Sequence, residues 1–181
     1  MGEISRVALF GRLGGLAYKA IESATTFCKL RGNPYVELSH WLNQILQQQD
    51  SDLHHIARRF EMDPARLAAD LTRSLDALPR GATSVSDLSS HVEEAVERGW
   101  VWASLTFGEP RVRTGHLIVG LLKTPGLRNA LPNISKELGK VRVDTLIDEW
   151  EAIVGGSPEA ALAACEGAQV GAREVSRAAP P

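Results

Sequence analysis

The 181 residues carry 20 basic and 22 acidic side chains, and 44% of the chain is hydrophobic with only 6% aromatic. That length supports one well-buried domain or two small ones sharing a core. The near balance of charge excludes the concentrated Lys and Arg excess of a dominant nucleic-acid footprint.

Further exclusions follow from residue placement. No apolar run approaches the roughly 18 residues of a membrane span. Glu3, Arg6 and Arg12 interrupt any secretory core at the N-terminus. Cys28 and Cys165 stand far apart and form no C-x-x-C pair, which speaks against zinc or a disulfide framework. The reading is a cytoplasmic protein or a piece of one, with no membrane partner.

In chain order, the first predicted element is a short amphipathic helix on Ile4, Val7, Ala8, Phe10 and Leu13, ended by Gly14-Gly15. Leu16, Ala20, Ala24 and Phe27 mark a longer helix whose small residues let another helix approach closely. Leu38, Trp41, Leu42, Ile45 and Leu46 follow the i, i+3, i+4, i+7, i+8 stripe of a helix with one buried face. Leu53, Ile56, Ala57 and Phe60 form a short helix. Asp63-Pro64 then supplies an N-cap acceptor and a proline at the first helical position. The helix that follows bears Leu67, Leu71, Leu75 and Leu78, and Pro79-Arg80-Gly81 stops it.

Val92, Val96, Trp100 and Ala103 mark the next helix, and Leu117, Ile118, Leu121 and Leu122 the one after. Ile134 and Leu138 precede a helix bearing Val143, Leu146, Ile147, Trp150 and Ile153. No stretch alternates between hairpin turns, so no sheet is predicted. Gly155-Gly156-Ser157-Pro158 opens an Ala-, Gly- and Pro-rich tail with the composition of a linker and room for a short helix around Ala160 to Cys165.

One passage occurs twice. Gly32-Asn33-Pro34-Tyr35-Val36-Glu37-Leu38-Ser39-His40 and the helix to Leu46 return as Gly108-Glu109-Pro110-Arg111-Val112-Arg113-Thr114-Gly115-His116 and the helix to Leu122, at a constant offset of 76. A repeat this long is a duplicated supersecondary unit. The fold class is therefore all-α: a duplicated four-helix repeat with an extra short N-terminal helix. Its divisions are 1–15 for the extra helix, about 16–80 and 86–154 for the repeats (together the 16–154 domain), and 155–181 for the linker.

Little in the chain is arranged for catalysis. It holds no G-x-x-x-x-G-K-[ST] loop and no G-x-S-x-G, and Gly11 to Gly15 reads as a helix terminus rather than a phosphate cradle. The repeated His40 and His116 have no carboxylate or thiol at a useful spacing, and each reads as a lock on the start of a helix. His54 and His55 point to different helix faces, so they do not chelate one metal. Glu93-Glu94 and Asp148-Glu149 read as solvated faces. Arg58, Arg59, Arg66, Arg73 and Arg80 make a local basic stripe, read as the solvated face of a helical pair. The expectation is a binding module with no catalytic, cofactor-binding or metal residues. For Val7, Phe10 and Leu13 two readings stand on composition alone: a cap on the core, or the wall of a groove that takes a partner helix through i, i+3, i+4, i+7 anchors.

The paired pattern of a small-residue helix, a Gly-x-Pro loop and then His-apolar-Leu-x-x-x-Leu resembles the Clp N-terminal domain of the Clp/Hsp100 AAA+ ATPases. Residues 32–42 resemble, more specifically, the ClpV type that serves type VI secretion. So do Leu78-Pro79-Arg80-Gly81, Trp102-Ala103-Ser104-Leu105 and Val112 to Leu117. The resemblance covers roughly residues 3 to 154. It implies that the domain engages an N-terminal helix of the large sheath subunit, so that a homohexameric parent with its own ATP- and magnesium-binding modules can recycle contracted sheath. The isolated domain is then a monomer without cofactor. The resemblance also tips the N-terminal helix towards the groove, with contacts on Val7, Phe10, Leu13, Ile21 and Ala24 and a second wall from Val85, Leu88 and Val92. The alternatives are the N-domain of a general Clp/Hsp100 unfoldase that binds adaptors or unfolded chains, and a helical nucleic-acid-binding regulator using the arginine stripe.

Overall fold

The computed structural model describes residues 4–162. Helix α1 (Arg6–Phe10) is followed by α2 (Gly15–Leu30), strand β1 (Tyr35–Val36), α3 (Leu38–Leu46), α4 (Asp52–Arg59) and α5 (Pro64–Asp76). Strand β2 (Asp87–Leu88) opens the second repeat, with α6 (Ser90–Leu105), α7 (Thr114–Lys123), α8 (Pro125–Ile134), a 3₁₀ helix (Lys136–Lys140), α9 (Val143–Asp148) and α10 (Trp150–Val154). The fold is the expected all-α duplication.

Local chemistry sets the helix starts. The Ser5 and Ser89 hydroxyls accept from the amides of Ala8 and Val92, and the Asp63 carboxylate accepts from Ala65 and Arg66 at 3.0 and 3.2 Å, just as Asp-Pro requires. The repeated histidines do the same work in reverse. His40 Nδ1 accepts the Glu37 amide and His116 Nδ1 the Arg113 amide, both at 2.9 Å.

Ala17, Ala20, Ala24 and Cys28 on α2 are fully buried against Trp41, Leu42 and Ile45 of α3, and the Trp41 indole donates to the Ala17 carbonyl at 3.2 Å. In the second repeat α6 and α7 cross at glycines. A Cβ on Gly120 would meet the Gly99 nitrogen at 2.9 Å, so the two backbones lie in direct contact there.

Four local expectations need correction. A sheet does exist: β1 and β2 pair in parallel through Val36 and Leu88, and Leu13 bridges Val112 in the same sense. Two-residue pairings are too short to leave an alternating pattern. Gly14-Gly15 does not end the first helix; α1 stops at Phe10, and Gly14 and Gly15 open α2. The helix expected from Val143 to Ile153 is broken at Glu149 into α9 and α10, and α8, entered through Pro125, was not anticipated.

The linker composition also begins too early. Ser157 and Glu159 are buried and residues 158–162 are helical; Cys165 and the rest of the tail lie outside the described residues.

The two parallel bridges are related by the repeat. Ser89 donates to the Val36 carbonyl at 2.9 Å, and Gly14 donates to the Val112 carbonyl at 2.9 Å. Each lead-in to a long helix is thus hydrogen-bonded to the Gly-x-Pro loop of the other repeat. Gly14 ahead of α2 and Ser86 and Ser89 ahead of α6 thus find their backbone acceptors across the duplication.

Candidate peptide-binding groove

Helix α1 has five residues, too few to hold itself together in water. The fold fixes it from three directions. Leu9 is buried; the Arg6 guanidinium bridges to Glu93 through Nε and Nη2 at 3.2 and 3.0 Å and to Asp87 through Nη1 at 2.6 Å. The segment behind it is tied down by Val112, which donates to the Arg12 carbonyl at 2.7 Å, and by the Arg111 guanidinium, which donates to the Gly11 carbonyl. Arg12 lies over the Trp100 ring at 4.7 Å. The hydrogen bond from Arg6 and then the Leu88 amide hold the Asp87 carboxyl below the usual range.

So fixed, α1 leaves Val7 85% exposed and Phe10 half-buried. They face Tyr18, Ile21, Glu22 and Thr25 of α2, with Leu88 of β2 between, around a groove of about 430 Å³. Residues 18, 21, 22 and 25 are an i, i+3, i+4, i+7 stripe beside the buried alanine stripe of the same helix, so one face of α2 serves the core and its neighbour serves the groove.

The structure therefore brings together Val7, Phe10, Ile21 and Leu88. Leu13, Ala24 and Val92 do not line it, because the alanine stripe of α2 and the first turn of α6 are core surfaces; Ile21, itself a core residue only 5% exposed, reaches the groove from the edge of that stripe. Val85 is half-buried against the core and does not line the groove; of the segment expected as its second wall, Leu88 contributes, and α2 supplies the rest. Arg6, Tyr18, Glu22 and Thr25 were missed. The helical spacing of Tyr18, Glu22 and Thr25 was visible, but it becomes a groove stripe only once Ala17, Ala20 and Ala24 are assigned inward.

His40 and His116 lie deep in the core. His40 Nε2 is 2.9 Å from Asn33 Oδ1, whose amide donates to the Pro79 carbonyl at 2.8 Å. Burial, then the charge of Arg31, lowers the His40 pKa to about 4. His116 Nε2 is 2.7 Å from Glu109 Oε2, so the expectation that it lacks a carboxylate is corrected: Glu109 reaches it from seven residues upstream. Burial pushes the Glu109 carboxyl up, but His116 and Arg113 outweigh it and hold it below the usual range. His116 is fully buried and stacks on Trp150 at 4.6 Å, a structural lock with no route to a substrate.

A second buried polar cluster joins both repeats to the C-terminal segment. Arg113 donates to both Asp52 oxygens at 3.0 and 2.8 Å, while Glu159 accepts from the Asp52 amide at 2.6 Å and from the Thr114 amide and hydroxyl at 2.8 and 2.5 Å. Burial, then the Asp52 carboxylate, pushes the Glu159 carboxyl up to about 8.

Each arginine of the stripe has an acidic neighbour. Arg58 lies 3.7 Å from Asp50, Arg59 3.1 Å from Glu149, Arg66 3.9 Å from Glu137, Arg73 2.8 Å from Asp70 and Arg80 3.0 Å from Asp76. Among the described residues no group of three or more His, Cys, Asp or Glu side chains is placed to hold a metal, and no helix is long and apolar enough to cross a membrane.

Residues 16–131 match the Clp repeat (R) N-terminal domain family. The chain is 64% identical over 172 residues to the AAA+ ATPase ClpV1 of Pseudomonas aeruginosa, a match that covers 95% of this chain and 19% of the relative. It is 49% identical over 164 residues to the chaperone protein ClpB of Yersinia enterocolitica, covering 91% of this chain and 18% of the relative. The chain thus spans about a fifth of the length of these curated relatives. A solved structure from work on coevolution of the ATPase ClpV with the TssB–TssC sheath superposes with a TM-score of 0.85 at 67% identity, covering 88% of this chain and 98% of that one. A ClpV N-domain in complex with a VipB peptide shares the fold with a TM-score of 0.76 at 18% identity, covering 88% of this chain and 97% of that one. The matched residues, the duplicated helical architecture and the similarity to ClpV along nearly the whole sequence place this chain in the Clp repeat (R) N-terminal domain family.

Proposed function

We propose that this domain is the substrate-recognition module of a type VI secretion ATPase of the ClpV type, and that its groove takes an N-terminal helix of the large sheath subunit. The observation that carries the reading is Val7, held 85% exposed on a helix that ion pairs and backbone bonds fasten in place. An apolar side chain presented on an immobilised wall, opposite Ile21 and Leu88, suits an amphipathic helix. The sequence similarity to ClpV1 supports the assignment, as does the VipB peptide bound by a ClpV N-domain of the same fold.

In this reading the chain carries no catalytic, cofactor or metal residues of its own. ATP and magnesium belong to the ATPase modules of the parent, a cytoplasmic homohexamer that extracts sheath subunits; α1 and the 16–154 domain together present the groove, and the tail leads on towards those modules. Ordering a flexible helix offsets part of the contact energy, so micromolar affinity, about −8 kcal/mol, is expected, with multivalency in the hexamer raising it.

The test is calorimetric titration with a synthetic N-terminal sheath helix, against a scrambled peptide of equal composition. One-to-one micromolar binding that the scrambled peptide lacks, and that Val7→Asp abolishes, is the expected result. Equal binding of unrelated unfolded chains would instead favour a general Clp adaptor or unfolded-protein domain.

A further inference from the structure

We propose that the groove selects a helix carrying a basic side chain at the edge of its apolar stripe, and that Glu22 is the residue that reads it. The inference rests on the sheath-helix reading and deepens it by specifying the chemistry of the bound segment. Glu22 stands on the α2 wall between Ile21 and Thr25, exposed and lining the groove. Among the described residues it has no ion-pair partner within 4 Å, although Lys19 lies three positions before it on the same helix.

Among the described residues, the cations near the opposite wall are already engaged, the Arg111 guanidinium with the Gly11 carbonyl. Arg6 is the one basic side chain lining the groove, and it is already shared between Asp87 and Glu93 at 2.6 and 3.0 Å. The Asp87 and Glu93 carboxylates thus compensate the Arg6 charge, whereas Glu22 across the gap has no such partner. A bound helix with glutamate at the edge facing Glu22 meets like charge, whereas lysine or arginine there is attracted. Such charges contribute specificity and register more than bulk affinity, which the apolar floor supplies.

Titration of the intact chain with three synthetic sheath helices tests this, the peptides identical except for Lys, Ala or Glu at one edge position. At low salt the lysine peptide should bind about fivefold tighter than the glutamate peptide, with alanine between, and the difference should shrink as salt rises. Glu22→Gln should bring the three within about twofold of one another, and Glu22→Lys should invert their order, with unchanged circular dichroism. Discrimination that survives Glu22→Gln overturns the assignment. So does equal binding of all three peptides that Val7→Asp still abolishes, an outcome that leaves the groove itself standing. No binding by any peptide, or binding that Val7→Asp leaves intact, removes the groove reading and this inference with it.

Discussion

His116 lies 2.7 Å from Glu109 at the point where the first repeat sets His40 2.9 Å from Asn33, so one lock is built twice with a charged partner in one copy and a neutral one in the other. Glu109 also takes the Arg113 guanidinium at 3.1 Å. Glu109→Ala strands buried donors on both side chains and should cost about 1–3 kcal/mol in urea unfolding. Glu109→Asn rebuilds the arrangement of the first repeat and should recover part of that loss.

His40 gives stability a definite acid limb. Its folded pKa is lowered to about 4 from the usual 6.5, so the unfolded chain binds the proton first. The stabilisation is complete above about pH 6.5 and is lost as pH falls towards 4, by at most about 3 kcal/mol across that window. Denaturant unfolding from pH 4 to 7 should show the decline. His40→Gln, though less stable at pH 7, should flatten it.

Glu159 acts with the opposite sign. With its carboxyl raised to about 8, the folded state holds the proton more tightly, so its contribution is present below pH about 4.5 and fades as pH rises through 8. Amide exchange in residues 155–162 should therefore quicken between pH about 5 and 8 beyond the intrinsic base-catalysed increase, and follow that increase alone above 8. Glu159→Gln should remove that extra acceleration, and an unchanged profile would refute the assignment.

The α6–α7 crossing predicts a contrast between two glycines. Gly120→Ala forces a methyl onto the Gly99 nitrogen at 2.9 Å and should destabilise by about 1–3 kcal/mol, whereas a Cβ at Gly126 meets nothing within 4 Å, so Gly126→Ala should be neutral or stabilising by about 0.5–1 kcal/mol. Thermal melts of the two variants read the difference directly.

At the groove, exposure separates binding from folding. Val7→Asp should leave the melting temperature unchanged and reduce sheath-helix affinity about tenfold or more. Leu13→Glu, by contrast, puts a charge into the core and should unfold the domain before binding is measured.

Much of this was legible in the residues. Asp63-Pro64 announced α5, the alanines of α2 announced close helix packing, and the repeat itself announced two equivalent units. What stayed hidden depended on partners distant in sequence. Val36 and Val112 look like loop residues until they meet Leu88 and Leu13 from the other repeat. Glu159 sits in a stretch with linker composition, yet the amides that hold it come from Asp52 and Thr114. Leu13, Ala24 and Val92 match the apolar character of groove residues, and only three-dimensional burial distinguishes them from Val7 and Phe10.

The crossed bridges have the geometry of a strand-exchanged pair. Each half lends its lead-in segment to the other, so neither holds all of its own hydrogen bonds. A single half-length chain would complete the same arrangement by pairing with a copy of itself, and joining two copies through residues 77–86 makes that pairing independent of concentration. Cleaved in that connection, the two fragments should still find each other and restore one folded domain.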